Sequence, residues 1–385
     1  MRILWVVPRF GADVIGGAET LVRRLATRAL PDGWTSDVAT TCASDHATWR
    51  NDLPAGASRD GAVGVTRFPV DPRDEERHAR THRLILEGRA GYLDELEWLA
   101  SGVWSAALGA YLERSDHDLM VFCPYLFGTT LWGAQVDPGR SAVLPCLHDE
   151  PYARLATVGR VLGGVRGCLF NAPGEERLAR RLHPIRDGGV VGMGFDPPAV
   201  PAPEGFGARH GLERYLVYAG RLEEGKRVQV AVEYATRHAR ERPDAPRLVL
   251  IGSGGYQPPR EAAGAVLRVG RVSEDDKRSA MAGAVALVNP SHMESLSIVL
   301  MEAWLEGSPA VVAEESEVMR DHCAESGGGL TFAGYAEYRD AVDRLLDDPT
   351  AARAMGARGR EYVLDVYGWP AVRARFAAIA ERLAP

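Results

Sequence analysis

The chain reads Asn289-Pro-Ser-His-Met-Glu-Ser-Leu-Ser-Ile-Val-Leu-Met-Glu-Ala-Trp-Leu-Glu-Gly-Ser-Pro309 where an apolar strand leads into a helix. Glu294 and Glu302 lie eight positions apart in this segment. Eight residues of helix rise about 12 Å, which is roughly the length of an extended sugar nucleotide. The helix N-terminus between the carboxylates offers unpaired N–H groups and a partial positive charge, which favour a diphosphate. The pattern predicts that Glu294 holds a sugar hydroxyl and that Glu302 holds a ribose.

Apolar strands alternate with helices on both sides of this segment. Strands are predicted at residues 215–219, 247–251, 266–269, 285–289 and 310–312, and helices at 228–240, 274–282, 298–306, 337–346 and 350–367. The first half of the chain has the same alternation, with strands at 3–7, 37–41, 63–70, 119–123, 142–147 and 167–170. It also has a helix at 19–30, a long helical stretch at 81–112, and a polar, Gly-rich segment at 45–64 that is typical of a loop. This alternation predicts parallel βαβ units.

A proline-rich segment divides the two halves. Residues 195–207 contain Pro197, Pro198, Pro201 and Pro203 and show no periodicity. We therefore predict an α/β protein with two Rossmann-like doubly wound domains that face an inter-domain cleft. Residues 1–195 form the acceptor-side domain, 196–210 a linker, 211–366 the nucleotide-sugar domain, and 367–385 a helix that crosses back to the first domain. Ligands of such sheets bind at the carboxyl ends of the strands.

Composition excludes several classes of protein. The 385 residues carry a net charge of −7, which argues against a nucleic-acid partner. The five cysteines are scattered without metal-like spacing, as in a reducing compartment. Neither a signal peptide nor a membrane span is apparent, so a cytoplasmic location is predicted. A basic cluster at residues 77–83 allows at most a peripheral contact with an anionic membrane face, although acidic residues precede it directly.

Cations and glycines lie at other predicted strand ends. Arg221 and Lys226 follow the first strand of the second half, where they would neutralise a diphosphate and stabilise charge on a leaving nucleotide. Arg271 follows a later strand and is a candidate for stacking on a nucleobase. Gly16 and Gly17 lie between the first strand and the first helix, where glycine permits close approach of the backbone to an anionic ligand.

His148 follows an apolar strand of the first half, so it is predicted to point into the cleft and to hydrogen-bond the sugar or the acceptor. Asp149 and Glu150 come next, but consecutive strand-end residues cannot readily face one ion, so no metal site is predicted. The literal D-x-D at residues 116–118 precedes its strand instead of following it, and indicates a solvated turn. The hydrolase elbow G-x-S-x-G and the P-loop are absent from the sequence.

Taken together, these residues resemble the retaining glycosyltransferases of family 4, which have the GT-B architecture. The resemblance rests on Glu294 and Glu302 with the following Glu-Gly-Ser-Pro, and extends to Gly16–Glu19, His148, Gly220–Arg221 with Lys226, and the terminal helix from Trp369. It implies a hexosyltransferase that uses a nucleotide-diphosphate sugar, retains anomeric configuration and needs neither metal nor other cofactor.

The resemblance also implies a role for each matching residue. Arg221 and Lys226 would bind the donor diphosphate, Glu294 the donor sugar and Glu302 the ribose. The backbone amides of Ser295, Leu296 and Ser297 would cradle phosphate or sugar, the loop at Gly16 and Gly17 would close on the donor, and His148 would lie beside the reacting sugar. In the front-face mechanism of this family, the departing phosphate takes the acceptor proton.

Two departures and two alternatives accompany this interpretation. Ser295-Leu296-Ser297 stands where the family often has Gly-Phe-Gly, and the added hydroxyls predict a change in sugar selection. The acidic residue usual before the preceding strand is absent from residues 282–284. A carboxylate on both ribose hydroxyls favours UDP- or GDP-sugars over dTDP-sugars. Two alternative functions remain: a catalytically degenerate scaffold and a sugar-nucleotide epimerase of similar shape. The sequence does not decide whether the acceptor is a glycan, a glycolipid or a natural product.

Overall fold

A computed structural model describes residues 1–14, 16–200, 202 and 204–385. The chain divides into two compact units, one of Met1–Gly194 with Trp369–Pro385 and the other of Phe195–Gly368. The stretch 196–210, predicted as a linker, is part of the second unit and includes a short helix at Phe206–Arg209. Its Pro201 and Pro203 lie outside the described residues.

The described part of the first unit contains one mainly parallel sheet with helices around it. Its strands are β1 (Arg2–Val7), β2 (Thr35–Thr41), β3 (Gly56–Asp60), β4 (Val63–Phe68), β5 (Leu119–Phe122), β6 (Ser141–Val143), β7 (Gly167–Phe170) and β8 (Gly188–Val190). Its helices are α1 (Gly17–Arg28), α2 (Glu75–Leu86), α3 (Tyr92–Ala100), α4 (Ala106–Glu113), α5 (Gly128–Leu131), α6 (Ala156–Gly164) and α7 (Pro173–Leu182), and the C-terminal helix Trp369–Leu383 also belongs to this unit.

The first sheet has the order β3-β4-β2-β1-β5-β6-β7-β8. Its strands pair in parallel except for β3, which pairs with β4 in an antiparallel hairpin. The prediction of a loop over residues 45–64 is therefore wrong at its C-terminal end. The helical stretch predicted over residues 81–112 is three helices, which are interrupted where Gly91 and Ser105 cap new helix starts.

The second unit has a fully parallel sheet. Its strands are β9 (Tyr215–Ala219), β10 (Arg247–Ile251), β11 (Val266–Gly270), β12 (Ala286–Asn289), β13 (Ala310–Ala313) and β14 (Gly329–Phe332). Its helices are α8 (Phe206–Arg209), α9 (Val228–Glu241), α10 (Glu274–Gly283), α11 (Ile298–Leu305), α12 (Glu317–Ser326), α13 (Tyr335–Asp347) and α14 (Pro349–Val366), and α15 (Trp369–Leu383) follows in the first unit.

The second sheet has the order β11-β10-β9-β12-β13-β14. Counted from β9, this is the 3-2-1-4-5-6 order of the Rossmann fold. The order reverses between β9 and β12, and a ligand of such a sheet binds outside the carboxyl ends of the strands at this switch point. The prediction of two doubly wound α/β domains is confirmed by the two sheets and their helices.

Apolar side chains of the sheets and helices form the cores of both units. Strand β1 is buried from Ile3 to Val7, and β5, β7, β9, β12 and β13 are buried throughout. Strands buried on both faces form continuous apolar runs, which is why these six were recognisable from the sequence. Among the described residues, no helix combines the length and the apolar composition that crossing a lipid bilayer requires.

Candidate functional site

The two loops at the switch point of the second sheet carry most of the predicted site. Strand β9 ends at Ala219 and is followed by Gly220, Arg221 and Lys226. Strand β12, which pairs with β9 in parallel, ends at Asn289 and is followed by the segment that contains Glu294. The carboxyl ends of the two strands are therefore neighbours. The sheet topology thus brings together residues that are about 70 positions apart in sequence. A ligand can bind between the two loops because the strand order reverses at this switch point.

Lys226 and Glu294 are in direct contact. The Lys226 Nζ donates to Glu294 Oε1 at 2.8 Å and to the backbone oxygen of Met293 at 3.2 Å. The Glu294 side chain is only 12% exposed and that of Lys226 is 24% exposed. Partial burial reduces solvent screening, so this pair is stronger than an exposed one. The lysine thus fixes the carboxylate while keeping donor capacity for a further anionic group.

Arg221 lies on the same loop with a more exposed side chain. Its Nη1 lies 3.1 Å from Glu223 Oε1, and its backbone oxygen accepts from the Tyr218 hydroxyl at 2.7 Å. Burial raises the pKa of Tyr218, so this phenol remains a neutral donor that holds the loop. Arg271, at the end of β11, is exposed. Both arginines are accessible to a ligand at the carboxyl edge of the sheet, although neither is held there as firmly as Lys226.

The helix after β12 begins later than the spacing argument requires. Helix α11 starts at Ile298, so Glu294 lies four residues before it in irregular backbone and Glu302 is its fifth residue. The estimate of about 12 Å of helical rise between the two carboxylates is therefore wrong, because only part of that span is helical. The helix N-terminus does lie between the two residues, and its first N–H groups face the loop.

Asn289 holds both ends of the segment between β12 and α11. Its side-chain oxygen accepts from the Ser291 backbone N–H at 3.1 Å, and its Nδ2 donates to Ser297 Oγ at 3.1 Å. Ser297 is buried and has a left-handed backbone with φ of 63°. Its hydroxyl is therefore engaged within the loop, which leaves the half-buried Ser295 as the better candidate for the predicted effect on sugar selection.

Position 297 provides a test of how this loop is held. Both Ser297→Ala and Ser297→Gly remove the bond to Asn289, but only glycine also relieves the left-handed backbone, which costs about 1–2 kcal/mol for other residues. The glycine variant is expected to be more stable to urea than the alanine variant by about 1 kcal/mol. The same two substitutions at Ser295, which has no positive φ, are the control and should not favour glycine. Equal stability of both Ser297 variants would contradict this account.

Glu302 is paired with a lysine that the sequence analysis did not single out. Lys277 of α10 places its Nζ 3.1 Å from the Glu302 carboxylate and 2.9 Å from Glu274 Oε2. Burial acts to lower the pKa of Lys277, but the two carboxylates outweigh it and the pKa is raised. Lys277 therefore stays charged and orients Glu302. The sequence does not single out Lys277, because only the tertiary structure shows that its position on α10 faces α11.

In the first unit, Gly16 caps α1, and Gly17 is the first residue of this helix. Ile15, in the middle of the predicted Gly-rich loop, lies outside the described residues. A side chain at Gly16 would collide with the Glu19 carboxylate, since its Cβ would lie 1.9 Å from Glu19 Oε2. Glu19 forms a buried ion pair with Arg9, whose Nη1 also donates to the Ser44 backbone oxygen at 3.1 Å. This ion pair anchors the helix start to the end of β1, and Arg9 was missed because nothing near it in sequence indicates its partner.

His148 follows β6 and has a partly buried side chain. Its Nδ1 lies 3.4 Å from Glu150 Oε1, which also accepts from the Tyr125 hydroxyl at 2.7 Å. Asp149 points elsewhere and pairs with Arg154 at 2.5 Å. His148 and Glu150 therefore contact each other, while Asp149 between them faces a different environment. Among the described residues, no group of three or more His, Cys, Asp or Glu side chains has an arrangement that could hold a metal ion.

The D-x-D at residues 116–118 and the basic cluster at 77–83 are engaged within the first unit. Asp116 pairs with Arg2 at 2.6 Å, while His117 is buried and lies 3.0 Å from Asp37. The prediction of a solvated turn is thus wrong for His117. In the basic cluster, Arg77 pairs with Asp74 at 3.3 Å and Arg80 pairs with Glu97. These acidic partners reduce the attraction that the cluster would exert on an anionic surface.

The sequence profile of the family described as "Glycosyl transferases group 1" matches residues 213–348, which lie within the second unit and span both switch-point loops. The second unit therefore resembles the group 1 glycosyltransferases in sequence. The predicted recognition is thereby confirmed at the level of the group, and the assignment to family 4 stays a prediction.

Curated glycosyltransferases show the same relationship over part of their length. The alpha-maltose-1-phosphate synthase of Mycolicibacterium smegmatis is 30% identical over 210 residues, which cover 49% of this chain and 54% of the relative. The D-inositol 3-phosphate glycosyltransferase of Frankia alni is 40% identical over 92 residues, 23% of this chain and 22% of the relative. The chain therefore spans about half the length, or less, of the curated relatives it matches.

Solved structures with the GT-B fold match the whole chain. The sucrose-phosphate synthase of Thermosynechococcus elongatus has a TM-score of 0.73 at 17% identity and covers 100% of this chain and 99% of its own. Anabaena HepE, solved in complex with UDP, has a TM-score of 0.69 at 14% identity and covers 98% of this chain and 99% of its own. These likenesses establish the fold: the chain has the GT-B architecture.

Proposed function

We propose that this glycosyltransferase is a retaining family 4 enzyme that moves a hexosyl unit from a nucleotide-diphosphate sugar to an acceptor hydroxyl. The observation that carries the proposal is the Lys226–Glu294 contact at the switch point of the second sheet, 2.8 Å between Nζ and Oε1. A cation for the diphosphate and a carboxylate for the sugar are thereby placed side by side. The alternative of a degenerate scaffold would not require this pair to be kept.

The residues of the second unit divide the donor between them. Lys226 and Arg221 neutralise the diphosphate, and the N-terminus of α11 adds N–H donors for the same group. Glu294 accepts hydrogen bonds from sugar hydroxyls, and Glu302, oriented by Lys277, accepts from the ribose. A carboxylate that serves both ribose hydroxyls favours UDP or GDP over dTDP. The UDP bound to the structurally similar HepE supports a uridine or other ribonucleotide donor.

The proposed transfer step is the front-face mechanism of family 4. The bond between the anomeric carbon and the leaving phosphate oxygen breaks, and the acceptor oxygen bonds to the same carbon from the same face. The departing diphosphate takes the acceptor proton, so the configuration is retained without an enzyme nucleophile. Arg221 and Lys226 stabilise the charge that grows on the diphosphate in the transition state. His148 lies beside the reacting sugar and donates or accepts a hydrogen bond there.

The proposal needs neither a resident metal nor any other cofactor, and places the reaction in the cytoplasm. The acceptor is a hydroxyl of a glycan, a glycolipid or a natural product. The relatives named above carry names with different sugars or acceptors, maltose 1-phosphate in one and D-inositol 3-phosphate in the other, and therefore do not select one of these classes.

The deciding experiment is a transfer assay with UDP-, GDP-, ADP- and dTDP-hexoses against acceptors of the three classes, with and without EDTA. Proton NMR of the product should show the anomeric configuration of the donor, and EDTA should leave the rate unchanged. Inversion would contradict the family 4 assignment. An epimerised donor recovered without acceptor would indicate the epimerase, and the lack of nucleotide binding by a folded protein would indicate the scaffold.

A further inference from the structure

A buried carboxylate lies directly beneath the backbone that carries His148. Glu175 is the third residue of α7, and its side chain is almost fully buried, with 1% of the residue exposed. Its Oε1 accepts from the Leu147 backbone N–H at 2.6 Å and its Oε2 accepts from the Asn171 backbone N–H at 2.6 Å. One carboxylate therefore joins the segments that follow β6 and β7, two neighbouring parallel strands.

Keeping a carboxylate at this position is costly. Burial raises the pKa of Glu175 to about 8, while the backbone N–H groups of Asn171 and Leu147 act in the opposite direction. Within the described residues, Glu175 has no ion-pair partner. With this pKa the side chain is mainly the neutral acid near pH 7, and a buried polar group is still costly unless hydrogen bonds satisfy it. The first turn of α7 could be capped by an uncharged side chain, so capping alone does not account for a buried acid.

The backbone that Glu175 holds is in an unfavourable conformation. Cys146, directly before Leu147, has φ of 54°, in the left-handed region that non-glycine residues rarely adopt. The Asn171 side-chain amide lies 3.6 Å from Cys146 Sγ. Cys146 is therefore linked directly to the segment after β7, and Leu147 is linked to it through Glu175. Strained backbone of this kind persists only where the surrounding structure over-determines it, and it concentrates at functional sites.

The His148 ring is held separately. Glu150 contacts its Nδ1 at 3.4 Å, and Tyr125 fixes Glu150 in turn. The side chain is thus oriented by one carboxylate, and the backbone immediately before it by another. Orientation of a reacting group by packing and hydrogen bonds around it is the usual means by which a site keeps a catalytic geometry.

We infer that Glu175 is a positioning residue for the transfer reaction: its carboxylate holds the strained Cys146–Leu147 turn so that His148 is presented at the carboxyl end of β6. The inference rests on the proposed function, because it assigns Glu175 an effect on transfer that acts through His148. Glu175 itself contacts neither donor nor acceptor. Its loss should lower the rate of the chemical step and leave donor binding, which belongs to the second unit, unchanged.

The test is Glu175→Gln, which preserves shape but replaces one of the two accepting oxygens with an NH₂ group that cannot accept. We expect kcat to fall about 10- to 100-fold, the size of effect that a misplacement near 1 Å produces, with KM for the donor unchanged. The control is Glu176→Gln, the next residue of α7, whose half-buried carboxylate pairs with Arg180. If Glu175→Gln fails to fold, Glu175→Asp keeps the carboxyl group with a shorter reach and tests the same bonds.

A double-mutant cycle with His148→Ala separates positioning from a merely structural role. If Glu175 acts through His148, the double variant should be no slower than His148→Ala alone, since coupled residues are not additive. Additive losses of kcat would overturn the inference, and so would an unchanged kcat in Glu175→Gln with only a lower melting temperature.

A second readout does not depend on activity. In protein labelled with ¹³C-histidine, the His148 ring resonance is identified by its disappearance in His148→Ala. It should shift in Glu175→Gln and stay in place in Glu176→Gln. An unshifted His148 resonance overturns the inference even if the enzyme is active. If the wild type neither binds nucleotides nor makes product, the proposed function fails, and the resonance alone still decides whether Glu175 positions His148.

Discussion

Replacing Lys226 with methionine is expected to lower kcat/KM by about 10²- to 10³-fold, the usual effect of removing one preorganised donor from developing charge. Methionine keeps the length of the side chain and removes only the ammonium. Two interactions are lost together, since the diphosphate loses a counter-charge and the Glu294 carboxylate, 12% exposed, loses its 2.8 Å partner. An uncompensated carboxylate in the sugar site would also weaken donor binding.

The measurement is the steady-state rate of transfer with the best donor of the panel, together with the melting temperature of each variant. The control is Arg353→Met, which removes an exposed cation from α14 of the same unit, away from both switch-point loops. That variant should keep wild-type kinetics. A Lys226→Met enzyme within about threefold of the wild type would remove the central support for the proposed function.

Glu302→Ala is expected to weaken binding of UDP and GDP at least about tenfold, or about 1.4 kcal/mol, because a ribose hydroxyl pair loses its acceptor. Binding of dTDP, which lacks the 2′-hydroxyl, should weaken less. The variant also leaves Lys277 with only Glu274, whose side chain is 80% exposed. Lys277→Met should therefore reproduce part of the loss, and the two substitutions should not be additive.

Isothermal titration calorimetry with UDP, GDP, ADP and dTDP measures these affinities directly. Glu274→Gln is the matched control, because it removes a carboxylate from the same lysine and leaves Glu302 in place. It should bind nucleotides as the wild type does. If Glu302→Ala weakens the binding of UDP and dTDP equally, the carboxylate does not contact the ribose. If the wild type binds dTDP more tightly than UDP, a preference for ribonucleotides is excluded.

The buried strands of this protein were readable because each has an apolar environment on both faces. The three strands that were missed, β3, β8 and β14, all lie at an edge of a sheet. An edge strand pairs on one side only and need not be apolar, so β3 with its sequence Gly-Ala-Ser-Arg-Asp is mostly exposed and resembles a loop. Apolar runs indicate buried strands, so of the four edge strands in the described sheets only β11 was predicted.

The site residues also differ in how readily the sequence predicts them. The rule that parallel sheets bind ligands at the strand ends selected four of the site residues, while Glu302 was selected by its spacing from the first carboxylate of its segment. These four are Glu294, Arg221, Lys226 and His148. Lys277 and Glu175 lie within helices, and Arg9, although it follows β1, has no partner nearby in sequence to single it out. Each acts through a partner 10 to 28 positions away, and its partner is fixed by how helices pack on the sheet.

The sequence by itself determined the alternation of strands and helices, the doubly wound class and the chemistry at the strand ends, because these depend on burial patterns and on local residue types. Only the tertiary structure decided that Lys226 meets Glu294, that α11 begins after Glu294, and that Glu175 holds the turn before His148. Such contacts depend on strand order and helix packing, which are set by the sum of many weak interactions over the chain and not by any short segment of it.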